Sequence, residues 1–211
     1  MDIWKATHQA RQDLADDLAG LDDAQWRQPT LCAEWNVEHV VAHLTAAASI
    51  GKWAWMRSIV GSGFRPAVHN DRRLREHLGS TPRKTLESFR AVTNSTVAPT
   101  GDLPAYLGEV IVHSEDIRHP LGLPSRGDVE AVTEVARFYV SRNFTVNSRS
   151  VAAGLHLHAT DGPFSAGDGP EVSGPTLALV MAMAGRRSHL DQLTGDGMPL
   201  LADRLGHGTA R

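Results

Sequence analysis

Cysteine is nearly absent: Cys32 is the only one in 211 residues, which excludes an internal disulfide. No stretch approaches the roughly 18 uninterrupted apolar residues of a spanning helix, so no transmembrane segment is expected. The opening segment, MDIWKATHQARQDLADDLAG, lacks the apolar run of a secretory signal, and the cytoplasm is the expected compartment. Basic blocks are missing as well. The 21 Lys and Arg are interspersed among 24 Asp and Glu for a net charge of -3, leaving no patch to neutralise phosphates or an anionic membrane surface. Nucleic acid and membranes are therefore not expected as partners. No internal repeat or low-complexity segment occurs. What is abundant is apolar residues, 41% of the chain and enough to bury a core, and histidine, 11 in all.

Helical periodicity runs through most of the chain. Ile3, Trp4, Ala6, Ala10, Leu14, Leu18 and Leu21 recur at threes and fours, which predicts an amphipathic helix ending near Gly20. After a polar connection containing Pro29, Asn36 is a good N-cap for VEHVVAHLTAAASIGKWAWM, residues 37–56, whose stripe runs from Val37 through Val40, Val41 and Leu44 to Trp55. Trp53 and Trp55 fall on opposite faces of its far end. A more polar helix is expected between Ala67 and Val97, with GSTP at 79–82 able to divide it. Asp102 can cap LPAYLGEVIVHSEDIRHPLG, which Pro120 and Gly122 bring to an end, and Asp128 begins a fifth helix, VEAVTEVARFYVSRNF. In VAAGLHLHATDG the period switches to two, which with FSAGDG predicts a β-hairpin turned around Asp161, Gly162 and Pro163. SGPTLALVMAMAGRR and GDGMPLLADRL return to helix. The fold class is thus mainly α: a four- or five-helix bundle over residues 1–147, then a small α/β domain over residues 148–211.

The chemistry concentrates in GEVIVHSEDIRH, residues 108–119. On a wheel centred on Val110, His113 lies about 60° to one side, with Glu109 and Asp116 roughly 100–120° round the same way. On the preceding apolar helix, centred on Val40, His43 also lies about 60° from the stripe's centre, whereas His39 lies about 100° away and reads as exposed. A carboxylate and a histidine one turn apart can reach one ion, and a histidine from a facing helix can complete the set. Two His and one Glu form a ligand set used by catalytic zinc, which leaves a position open. Asp116 can accept a ring N–H from His113 and orient it. The alternative is a polar-edged helix whose Glu and His pair at the surface. Glu115 and His119 point away from this edge and read as surface positions.

Other candidates carry plainer readings. His156 and His158 face the same way on the expected strand, a metal-ligand spacing, but Leu155 and Leu157 would then face the core and the two histidines solvent or a domain interface. Cys32, in a connection bracketed by Trp26 and Trp35, reads as a packed thiol rather than a reactive one. The glycines of GDGP and TGDGMP read as turns, since no phosphate-binding strand precedes them.

The segment QWRQPTLCAEWNVEHVVAHLTAAA resembles the N-terminal block of the mycothiol-dependent maleylpyruvate isomerase family, a branch of the DinB-like metal-binding bundles. GEVIVHSEDIRHPLG is similar to the family's second block, and LHLHATDG, GDGPEVSGPTLALVMAMAGR and LTGDGMPLL resemble its C-terminal domain. The resemblance implies that His43, Glu109 and His113 ligate a divalent metal, zinc by preference, and that a low-molecular-weight thiol such as mycothiol is the cosubstrate. A dianionic substrate such as maleylpyruvate would call for arginine, with Arg186, at the family-like A-G-R, and Arg187 as candidates and Arg118 a third. The function so implied is a metal-dependent enzyme that activates a thiol for isomerisation or S-transfer on a small electrophile. The alternatives are a non-catalytic metal- or thiol-binding module and a metal-dependent hydrolase. Partners would be the small substrate and the thiol, with the chain a monomer or homodimer.

Overall fold

A computed structural model of the protein describes residues 1–32, 35–51, 53, 66–98 and 100–207. They form two compact units, Asp2–Arg126 and Gly127–Arg211, the latter together with Met1.

The first unit contains α1 (Ile3–Leu18), α2 (Asp23–Trp26), α3 (Val37–Ser49), α4 (Pro66–His77), α5 (Pro82–Arg90) and α6 (Leu103–Leu121). Their apolar stripes close on one core that includes Leu14, Leu18, Trp26, Val40, Val41, Leu44, Phe89, Val110 and Ile117. Local chemistry sets the ends. Asp2 caps α1 and Asn36 caps α3, its side chain accepting the His39 N–H. GSTP divides the polar helix as expected, with Thr81 capping α5 and Pro82 in its first turn. Asp102 occupies the N-cap of α6 but its side chain makes no capping hydrogen bond; its own N–H donates to Thr100 Oγ1 at 3.3 Å. Gly122 ends α6 in the left-handed conformation at φ 65°, donating to the Arg118 and His119 carbonyls. α3 stops at Ser49, where Ile50 turns extended. The rest of the helix expected there falls on residues 52 and 54–56, Trp55 among them, which lie outside the described residues. Trp53 is exposed.

The second unit contains α7 (Val129–Ser141), α8 (Ser148–Ala152), β1 (His156–Ala159), β2 (Ser165–Ala166), β3 (Glu171–Gly174), α9 (Thr176–Met183), a 3-10 turn at Leu190–Gln192 and α10 (Met198–His207). The division therefore falls after Arg126 rather than at residue 147, and α7, expected as the bundle's fifth helix, belongs here. Its buried residues Val132, Val135, Ala136 and Tyr139 lie on a helix that packs against α9, which is buried nearly all round. The hairpin forms as expected, β1 and β2 pairing Leu157 with Ala166 and His158 with Ser165. A third strand joins it: β3 runs parallel to β1 on its other edge, pairing Leu157 with Val172. Gly167 permits the tight return, because at its φ of 84° any Cβ would collide with the Leu155 carbonyl oxygen. No helix among the described residues is long and apolar enough to cross a membrane.

Candidate metal centre

The His43-bearing helix α3 and the helix carrying the second block, α6, pack together within the first unit. The structure brings His43, Glu109 and His113 into one cluster, with a potential ligand atom from each within 4.8 Å of the others. His43 Nε2 donates to Glu109 Oε1 at 3.0 Å. The His43 and His113 rings meet edge to face, their centroids 5.1 Å apart. His113 Nδ1 donates to Asp116 Oδ2 at 2.9 Å, and Asp116 is fully buried. That bond turns the other ring nitrogen, Nε2, toward the role of ligand. Glu109 keeps 26% of its side-chain surface accessible against 9% for His43, so the cluster is edged by solvent rather than sealed.

The connection before α3 supplies the rest of the wall. Thr30 Oγ1 donates to the Trp35 carbonyl and accepts the Cys32 N–H, and the Leu31 N–H donates to the Asp116 carbonyl, tying this turn to α6. Trp35 is thereby set 4.9 Å from the His43 ring and 6.3 Å from the His113 ring, centroid to centroid. Cys32 is brought to the same place: its thiol, with His113 and Asp116, forms a second group of donors within 4.8 Å. The reading of Cys32 as a packed thiol carries no expectation of this proximity. The only signal was its position in a Trp-bracketed turn just ahead of the His43 helix.

Electrostatics suit cation binding. Burial pushes the Glu109 carboxyl up, but the His43 hydrogen bond and the charges of His43, His113 and Arg11 outweigh it, and the net shift is downward. Burial holds His113 below its ordinary value against the opposing pull of Asp116. Both shifts favour the forms that bind a metal, carboxylate and neutral imidazole. The donor set fits an ion: two ligands each about 2.0–2.2 Å from a tetrahedral zinc lie roughly 3.4 Å apart, close to the His43–Glu109 separation.

The remaining candidates distribute elsewhere. His39 is half-buried on α3 and stands outside both donor groups. Arg118 is buried rather than a surface charge: it is 2% exposed, with Nε donating to Asp17 at 2.8 Å and Nη1 to Glu115 at 3.4 Å. Glu115, expected at the surface, is buried in the same network, accepting also from Ser125. His119 is exposed as expected. His156 is half-buried and His158 exposed, while Leu155 and Leu157 are buried; His156 Nε2 lies 2.9 Å from Ser165 Oγ, and the two histidines enter no donor group among the described residues. Arg186 and Arg187 follow α9 in the second unit, where Arg186 donates to the Ala184 carbonyl at 2.8 Å.

A His, His and Glu cluster between two helices, with a buried Asp behind one histidine, is an arrangement from which helical bundles can build a metal site. The chain belongs to the mycothiol maleylpyruvate isomerase family, with residues 7–118 matching its N-terminal domain and residues 127–204 its C-terminal domain. In fold it is similar to the crystal structure of a mycothiol-dependent maleylpyruvate isomerase, with 16% identity, 92% of each chain covered and a TM-score of 0.61. A histidine-to-alanine mutant of a mycothiol-dependent maleylpyruvate isomerase aligns with 17% identity over 92% of each chain and a TM-score of 0.62. No curated protein sequence matches the chain.

Proposed function

We propose that the protein is a cytoplasmic metalloenzyme in which His43, Glu109 and His113 hold a divalent ion, zinc by preference, and which activates a low-molecular-weight thiol such as mycothiol. The observation that carries this reading is the convergence of these three donors from α3 and α6, with Asp116 fixing the ring of His113. A bound zinc supplies a position at which a thiol exists as thiolate at neutral pH. The chain's part is to orient and to shield. Asp116 fixes the tautomer of His113, Trp35 covers one side of both imidazoles, and the accessible edge at Glu109 leaves room for an incoming molecule. Addition of the thiol sulfur to an activated double bond makes that bond single; rotation and loss of the same thiolate then give the trans isomer. With an electrophile that keeps the sulfur, the outcome is S-transfer. The partners in this reading are the thiol and a small electrophile, without nucleic acid or membrane, and the chain acts as a monomer or homodimer.

Metal analysis of the wild type beside His43→Ala and His113→Ala, together with mycothiol-dependent turnover of maleylpyruvate, tests it. Loss of metal and of turnover in both variants is the expected result. Undiminished metal content in both would overturn the ligand assignment. Retained metal with no thiol-dependent turnover would favour a binding module or a hydrolase.

A further inference from the structure

The solvent face of the second unit's sheet carries a grouping that the metal centre does not use. His156 on the central strand β1, Ser165 on β2 and Glu171 on β3 come from three neighbouring strands. The pairing register puts all three on the face opposite the buried Leu157 and Val172. Ser165 Oγ lies 2.9 Å from His156 Nε2, and Glu171 Oε2 lies 3.6 Å from Nδ1 of the same ring. A carboxylate beside Nδ1 holds the ring proton there, which leaves Nε2 to accept from the hydroxyl. The ring is thus set as a base against a nucleophile, with a third group orienting the base. The 3.6 Å separation is an ion-pair rather than a hydrogen-bond distance, and contacts of this kind commonly tighten when a reactant is bound.

The backbone supplies one part more. The Ala159 N–H donates to the Phe164 carbonyl at 2.9 Å, so that pair is hydrogen-bonded and the next, His158 with Ser165, is not. The Ser165 N–H therefore points away from β1, outward from the edge strand, where it can meet the oxyanion formed at the atom that its own Oγ attacks. His156 keeps 32% and Glu171 52% of its side-chain surface accessible, and Ser165 is exposed. An open face of this kind suits a small activated ester rather than a substrate that must be enclosed. We propose that Ser165, His156 and Glu171 form a second reactive site, one for acyl transfer from small activated esters, independent of the metal centre. The bond from Ser165 Oγ to the acyl carbon forms as the hydroxyl proton passes to His156 Nε2; that proton then goes to the leaving alcohol as the ester C–O bond breaks. Water repeats the sequence on the acyl-serine: its oxygen leaves in the carboxylic acid, and its proton passes through Nε2 to Ser165 Oγ.

A fluorophosphonate reports on the first step alone, because Ser165 Oγ displaces fluoride from phosphorus and the adduct persists. The full chain is labelled in the presence of a metal chelator, which keeps the metal centre out of the reaction, and the adduct is located by peptide mass mapping. Label on Ser165 is expected, forming more slowly by roughly 100-fold or more in His156→Gln, which keeps a polar side chain but loses the base. Glu171→Gln should slow it by less, and Ser165→Ala should take no label. His158→Gln is the control, a histidine of the same face whose ring centroid lies 6.2 Å from that of His156, and its rate should match the wild type. p-Nitrophenyl acetate, as a second probe, should acetylate the same serine. Thermal melts establish that each variant is folded, and His156→Asn takes the place of His156→Gln if the latter is not. An unlabelled Ser165, label carried on His156 instead, or a rate that His156→Gln leaves unchanged or His158→Gln lowers equally overturns the site.

Discussion

Asp116 acts one residue removed from the proposed ligands. Its carboxylate is fully buried and takes the Nδ1 proton of His113, so it decides which ring nitrogen is available and how the ring is aimed. Asp116→Ala should lower zinc affinity by roughly 10–100-fold, the usual cost of losing such a support, as read by chelator competition. Asp116→Asn, whose carbonyl can still accept from Nδ1, should lose less. At this scale the sequence was most legible where a period existed. Glu109, His113 and Asp116 share one edge of a regular helix, and His43 has the same offset on its own helix, so the cluster could be read off two wheels. Cys32 and Trp35 could not, because the connection they occupy has no period to place them. The misreading of Glu115 has a different cause. A wheel with one apolar stripe assigns the opposite face to water, whereas α6 is covered there as well, by the Arg118–Asp17 pair and Ser125.

At the scale of elements, the start of α3 bears on the site because the same helix carries His43. Asn36 accepts the His39 N–H and so satisfies one of the donors that a helix start leaves open. Asn36→Ala should cost about 1 kcal/mol of stability, measured by denaturant unfolding, with zinc affinity unchanged once the chain is folded. If zinc affinity instead fell in step with stability, the cap would be setting the position of His43 as well as the helix start. Caps and breakers of this kind were the most reliable signals in the chain: Asn36, Asp128, Pro82 and Gly122 all sit where the sequence put a boundary. The elements that escaped notice were short or needed a distant partner. β3 is four residues long and gains its identity from pairing in parallel with β1, which no local alternation reveals. α7 was recognised as a helix but assigned to the wrong unit, because its apolar stripe says only that something covers it. The covering element, α9, lies some forty residues further on, after the whole sheet.

At the scale of the whole molecule, the proposed metal ligands are also the groups whose protonation changes on folding, so stability should report on both. Folding lowers the proton affinity of His113 from an ordinary value of 6.5 and that of Glu109 from 4.5, so the unfolded chain binds more protons than the folded one. Stability rises with pH wherever that holds. The His113 contribution is fully present above about pH 6.5 and is lost as the pH falls through its lower folded value; the Glu109 contribution follows below about pH 4.5. His77, held below its ordinary value by burial and by Arg73, adds to the first window, so the site's own share is the difference between wild type and His113→Ala. In the presence of a chelator, the melting temperature should therefore fall on acidification from pH 7 to pH 5, less so in His113→Ala. Saturating zinc adds a second, larger slope. A ligand at about 100 times its dissociation constant stabilises by ~2.7 kcal/mol, and with the proposed ligand set protons would compete with the ion for His43, His113 and Glu109. The zinc-induced rise in melting temperature should be largest near pH 7, shrink steadily toward pH 5 and be absent from His113→Ala at every pH. A zinc shift that is independent of pH, or one that survives in His113→Ala, would place the ion on other ligands.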